Sequence, residues 1–166
     1  MTFTEEIYEG SVLDVIQELG YDYVSAENIQ RESYKNPLYM KDLLAGLARI
    51  NPGLPLGVID AAVFNLQNIE IGSLINRNRQ FVDWLQNGME VSYPDRGEEK
   101  TALVYLIDYQ DVDNNCFTVI NQWTVAGIDQ SRRPDIVVFI NGLPLVVVEL
   151  KSGSSEHAAI SSAYRQ

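Results

Sequence analysis

Apolar positions recur at helical spacing through the first half of the chain. Val12, Leu13, Ile16 and Leu19 form one stripe, with Thr4 placed to cap the helix and Gly20 to stop it. Leu43, Leu44, Leu47 and Ile50 predict a second helix over 41–50, closed by Asn51-Pro52-Gly53. Two more follow over 56–66 and 74–85, the last ending at Asn87-Gly88. After Gly88 the texture turns to β-branched and aromatic runs, which predict strands over 89–93, 101–108, 117–125, 135–140 and 143–150. Ser154 or Ser155 then caps a last helix over 156–166. The pattern is α+β or α/β, a buried sheet with helices against it. It implies one domain over 1–166, mainly helical to about residue 88 and sheet-forming beyond.

The sharpest local signal lies between Asp135 and Lys151. Asn141-Gly142 between two apolar runs is the strongest short-range hairpin cue. Both runs are apolar at nearly every position, which predicts strands covered on both faces, in mid-sheet. This ribbon carries Asp135 at the start of one strand and Glu149 and Lys151 at the end of the other. Carboxylates in apolar surroundings are costly unless paired or bound to metal, so these charges mark a candidate site. A plain two-residue loop would set Asp135 opposite Val148 and turn it away from Glu149. A one-residue bulge near Gly142–Pro144 would bring the two acids to one face, so an offset is expected there.

Two carboxylates and a lysine on adjacent strands suit a hard cation. Mg²⁺ held by Asp135, Glu149 and the Leu150 backbone carbonyl would neutralise charge developing on a phosphodiester and acidify a bound water. Lys151 would orient that water. The same triplet also reads as a Glu149–Lys151 ion pair at a strand end.

Charge changes the picture of partners. Twelve basic residues stand against 23 acidic ones, a net −11. Residues 1–30 hold seven acids and no Lys or Arg, and residues 102–130 hold four aspartates and again no base. Such a surface repels a phosphate backbone, so any DNA must be delivered by something else, and the domain by itself is expected to bind duplex weakly. An acidic surface that serves only solubility is the plainer account. The composition, 46% apolar and 21% charged, excludes disorder. The lone cysteine, Cys116, excludes an internal disulfide framework and reads as a packing thiol in a reducing compartment. No apolar run approaches the roughly 20 residues of a membrane helix. The opening MTFTEEIYEG is acidic where a signal peptide is basic. A soluble cytoplasmic domain is expected. His157 is the one histidine, so histidine-dependent triads and histidine-rich zinc sites lack parts, and it reads as a surface or capping residue.

The run RPDIVVFINGLPLVVVELKS (Arg133 to Ser152), preceded by Asn121-Gln122-Trp123-Thr124-Val125, resembles the N-terminal nuclease domain of the restriction (R) subunit of type I restriction–modification enzymes, of the PD-(D/E)xK superfamily. The resemblance implies a central mixed sheet flanked by helices, after an N-terminal helical portion. It assigns Pro134-Asp135 to the PD and Glu149-Leu150-Lys151 to the ExK, with Mg²⁺ as cofactor and Mn²⁺ as substitute. The superfamily also places a glutamate on the first helix near the metal, and Glu9 matches. At 100° per residue Glu9 lies about 20° from Ile16 and about 40° from Leu13, within the apolar stripe, so it either reaches inward for a ligand or snorkels to water. By the same resemblance Gln166 matches the glutamine of a Q-x-x-x-Y motif, and the sequence ends before the position of its tyrosine; Tyr164 is no substitute. No G-x-x-x-x-G-K-[ST] is present, so ATP would act only through a downstream motor, and the chain is expected to be the front piece of a longer one.

Two function classes result. One is a Mg²⁺-dependent endonuclease domain of a type I restriction enzyme R subunit, acting on double-stranded DNA with the modification and specificity subunits. The other is a nuclease-fold docking module without catalysis of its own. Arg132 and Arg133 precede the site and read either as phosphate contacts or as a strand-flanking surface pair.

Overall fold

The computed structural model describes residues 5–69, 72–127 and 129–151. The cap at Thr4, the helix over 156–166, His157 and Gln166 lie outside the described residues. Among the described residues four α-helices and eight strands follow in the order α1 (Glu5–Glu18), β1 (Asp22–Ser25), α2 (Met40–Ile50), α3 (Leu56–Gln67), α4 (Leu74–Asn87), β2 (Met89–Asp95), β3 (Glu98–Val104), β4 (Phe117–Asn121), β5 (Val125–Ala126), β6 (Ser131–Arg132), β7 (Ile136–Ile140) and β8 (Leu143–Val148). The chain is therefore a mixed α/β protein. It divides into two compact units: residues 1–37, 117–139 and 144–166 form one, and residues 38–116 with 140–143 form the other. The change of texture at Gly88 does not mark this division, because α2, α3 and α4 fall in the same unit as the β2–β3 hairpin.

The first unit is built on a four-stranded sheet in the order β1-β4-β7-β8. β1 runs parallel to β4, with Asp22 opposite Thr118 and Ser25 opposite Asn121. β4 and β7 are antiparallel: Gln122 N–H donates to the Asp135 carbonyl (2.9 Å) at one end of the pair, and Asn141 N–H to the Cys116 carbonyl (2.8 Å) at the other. The sheet is thus mixed. Helix α1 lays Leu13 against Val119 and Ile136, with Val12 and Ile16 beside it, and stops at Gly20, whose φ of +95° suits a residue without a Cβ. Leu19 departs from the expected stripe: it is 73% exposed, one position past the last helical residue. The buried Trp123 meets Phe139 edge to face at 5.3 Å, and its indole N–H donates to the Pro37 carbonyl. The Arg31 guanidinium lies over the Trp123 ring, 3.7 Å from its centroid, and donates to the carbonyls of Thr124 and Asn36.

In the second unit, α2 buries Leu43 and Leu47 while Leu44 faces out, and α3 buries Val58, Ile59 and Ala62. Ser73 caps α4, accepting from the Asn76 N–H, and Gly88 closes the helix as its sequence position predicts. The β2–β3 hairpin turns at Arg96-Gly97, both with positive φ. The ladder begins at that turn, so β3 starts earlier than the expected residue 101. It ends at Val104 because the Asn51 side chain takes both backbone groups of Tyr105. Asn141 is fully buried in this unit. It donates to the Leu106 carbonyl (2.9 Å) and to Asn115 Oδ1 (2.8 Å), and accepts from Cys116 N–H (2.8 Å).

Two expectations need correction. The run 117–125 is not one strand: β4 stops at Asn121, Gln122 adopts a left-handed φ of +55°, and Val125–Ala126 pairs with β6 instead. The β7–β8 hairpin is not covered on both faces. β7 buries Ile136, Val137 and Phe139, but β8 ends the sheet among the described residues and leaves Val146 and Val147 at 50% and 58% exposure. The packing agrees with the offset expected near Gly142–Pro144: Ile136 and Val138 of β7 share a cluster with Val148 and Leu150, whereas a plain register would pair Ile136 with the exposed Val147. Asn141 (φ +48°) and Gly142 (φ +70°) make a two-residue turn between strands that stop and start on either side of it, the geometry of a type I′ hairpin.

A Cβ added at Gly142 would lie 2.3 Å from the Tyr39 carbonyl oxygen, and one added at Gly46 would lie 2.6 Å from Asn141 Oδ1, so the turn is enclosed by α2. Asn141→Ala strands buried groups on Leu106 and Cys116 and puts a Cβ-bearing residue without Asn's local hydrogen bonding at positive φ. It is expected to destabilise the protein by about 2–4 kcal/mol in denaturant unfolding. A loss below about 1 kcal/mol would show that the side chain is not the centre of that network.

Candidate active site

Asp135, Glu149 and Lys151 are brought together at the open end of the β7–β8 hairpin. Asp135 immediately precedes β7 and is half-buried; Glu149 follows β8 and is exposed. Asp135 Oδ2 accepts from the Leu150 N–H at 2.7 Å. The convergence has the parity of the expected offset, because Ile136, Val138, Val148 and Leu150 share one cluster and alternation leaves Asp135 and Glu149 on the other side.

Leu150 explains the spacing of the triplet. Its side chain packs with Val148 against the Leu13–Val119–Ile136 cluster. Alternation along the extended chain then sends Glu149 and Lys151 to the opposite side, both exposed. One apolar residue anchors the segment and two charged ones flank it.

The electrostatics follow from this crowding. Partial burial holds the Glu149 carboxyl above its ordinary range. The charge of Asp135 and a hydrogen bond shared with it act the same way, while Lys151 and Arg132 pull it back down. Arg132, on β6, is among the charges that act on Glu149. The donor set is all oxygen, as Mg²⁺ or Mn²⁺ prefers, and a divalent ion would relieve the like-charge contact of Asp135 with Glu149. The residues present fit such an ion.

Glu9 reaches inward. Its Oε1 accepts from Asn121 Nδ2 and its Oε2 from Gln122 Nε2, both at 2.8 Å, and Tyr23 donates its hydroxyl to Asn121 Oδ1 at 3.2 Å. Among the described residues no group of three or more His, Cys, Asp or Glu is close enough to hold a metal ion, so Glu9 does not join Asp135 and Glu149 in one such group. Tyr23, Asn121 and Gln122 were not singled out as site residues by their spacing. The signal that would have found them is the polar pair Asn121-Gln122 directly after the apolar β4, opposite Asp135.

The fold and this site define a mixed α/β protein with a carboxylate–lysine cluster at the end of its main sheet. The chain belongs to the type I restriction enzyme R protein N terminus family, whose model matches residues 2–166. It is 33% identical over 170 residues to the type I restriction enzyme HindI endonuclease subunit of Haemophilus influenzae, covering 98% of this chain and 16% of that protein. A Methanocaldococcus jannaschii protein, provisionally named as the MjaIXP type I restriction enzyme endonuclease subunit, is 32% identical over 161 residues, 92% of this chain and 16% of the relative. The chain thus spans about a sixth of the length of these curated relatives. Among the described residues no helix is long and apolar enough to cross a membrane.

Because the folded chain raises the Glu149 carboxyl, it favours the protonated form. That contribution is complete below the ordinary carboxylate pKa and is lost as pH rises through the raised value. Metal-free protein should therefore lose some stability as pH rises from about 4 towards 8. Glu149→Gln should flatten that slope and raise the metal-free Tm near neutrality by about 1–3 °C. Thermal unfolding in chelator checks this; identical pH slopes in the two proteins would refute the like-charge contact.

Proposed function

We propose that this chain is the Mg²⁺-dependent endonuclease domain of a type I restriction enzyme R subunit, hydrolysing phosphodiester bonds of double-stranded DNA. The observation that carries the reading is the convergence of Asp135, Glu149 and Lys151 on one end of the hairpin, with Asp135 tied to the Leu150 backbone. Family membership supports it, since the relatives are named endonuclease subunits.

Asp135, Glu149 and the Leu150 backbone carbonyl would hold the Mg²⁺, for which Mn²⁺ could substitute. Bound there, the ion supplies charge neutralisation for the phosphodiester and a water of lowered pKa. The chain's own groups do the rest. The Leu150 N–H fixes the Asp135 carboxylate in one orientation, so no reorganisation is needed when substrate arrives. Lys151, aimed to the same side as Glu149, orients the attacking water and offsets negative charge as the bond breaks. Arg132, whose charge acts on Glu149, would meet a phosphate oxygen. Gln166 would add the glutamine of the Q-x-x-x-Y motif.

The remaining length of the relatives leaves room for an ATP-dependent motor, and the modification and specificity subunits would select and deliver the DNA. Delivery matters because the net charge of −11 opposes a duplex approaching by diffusion. The enzyme would act in the cytoplasm, on unmodified foreign DNA.

In the assembled restriction complex, Lys151→Ala should reduce cutting by at least about a hundredfold and leave ATP-driven translocation intact. Cleavage of circular substrate and a translocation assay on the same preparation measure both. Cutting that persists in the variant would overturn the catalytic assignment and favour the docking-module reading.

A further inference from the structure

We infer that Gln122 is a positioning residue that, with Asn121, holds the Glu9 carboxylate at the same end of the sheet as Asp135; the inference rests on the nuclease reading above. Gln122 has a φ of +55°, a conformation uncommon for a long side chain and costly to keep without a reason. That backbone lets one residue bond in two directions. Its N–H donates to the Asp135 carbonyl at 2.9 Å, and its carboxamide Nε2 donates to Glu9 Oε2 at 2.8 Å. Asn121 supplies the second donor to Glu9. The Tyr23 hydroxyl occupies Asn121 Oδ1, which leaves the Asn121 amide nitrogen as the group that faces the acid.

A clamp of this kind fixes a carboxylate without neutralising it. Both donors are neutral amides, and among the described residues no Lys or Arg forms an ion pair with Glu9. Each Glu9 oxygen accepts one hydrogen bond and keeps further lone-pair capacity. A half-buried carboxylate held without a countercharge is a poor device for stability alone. Next to the strand that carries Asp135, it deepens the negative potential that draws a divalent cation to this end of the sheet. Outer residues that orient a metal site by hydrogen bonding are typically worth about 10–100-fold in metal affinity. Gln122 thus acts through Glu9 and through the Asp135 backbone.

The test uses the full-length protein with Mn²⁺ as probe in calorimetry, and Mg²⁺-dependent cutting in the assembled complex. Gln122→Gly accepts the left-handed backbone without strain, keeps the N–H to Asp135 and removes only the carboxamide. This variant is expected to weaken Mn²⁺ binding about tenfold and to raise the half-saturating Mg²⁺ concentration for cutting by a similar factor. The Tm of the glycine variant should stay within about 2 °C of the parent. Unchanged Mn²⁺ affinity in the glycine variant, with or without a fall in Tm, would overturn the inference. If Asp135→Ala abolishes Mn²⁺ binding in the same experiment, the nuclease reading survives that failure. If Asp135→Ala leaves binding unchanged, the metal reading itself falls, and this inference with it.

Discussion

The antiparallel register of β4 with β7 is the constraint on which the site depends. It is pinned at its two ends by backbone bonds, Gln122 to Asp135 and Asn141 to Cys116. With that register set, the polar residues that end β4 come to lie beside the acid that begins β7. A slip by one residue would turn every β7 side chain to the other face and take Ile136 out of its cluster with Leu13 and Val119. The apolar packing therefore holds the register, and the register sets where the charged groups meet.

The charged groups themselves add little to stability. Burial and the charge of Asp135 both oppose ionisation of Glu149, while Lys151 and Arg132 favour it. Such an arrangement persists because Val148 and Leu150 bury their side chains on the same cluster and fix the backbone between them. The local conflict of like charges, set on a well-packed support, is the usual signature of a site kept for binding rather than for folding. The same contrast holds at Glu9, where two amides position a carboxylate without neutralising it.

The hairpin tip shows how one residue serves two demands. Asn141 supplies the positive φ of a tight turn, and its buried amide bonds Leu106, Asn115 and Cys116. Gly142 and Gly46 leave the space for it. The Asn-Gly signal legible in the sequence thus had a second, tertiary meaning that no turn preference contains.

Helical periodicity and stop signals located α1 to α4 to within a few residues, because each helix is decided by local spacing and by stop residues such as Gly20 and Gly88. The Asn141-Gly142 hairpin and its terminal acids were legible for the same reason, since turn geometry and the cost of burying charge are properties of short segments. The exposure of β8 was not, since it depends on which strands lie alongside. Nor did local pattern reveal β1, a short, largely polar strand that exists by pairing with β4. The inward turn of Glu9 was left open between two readings until the tertiary structure supplied Asn121 and Gln122 as donors from more than a hundred residues away. Local chemistry was set by the order of the residues; which groups meet was decided only by long-range packing, because hydrogen bonds between distant residues leave no periodic trace along the chain.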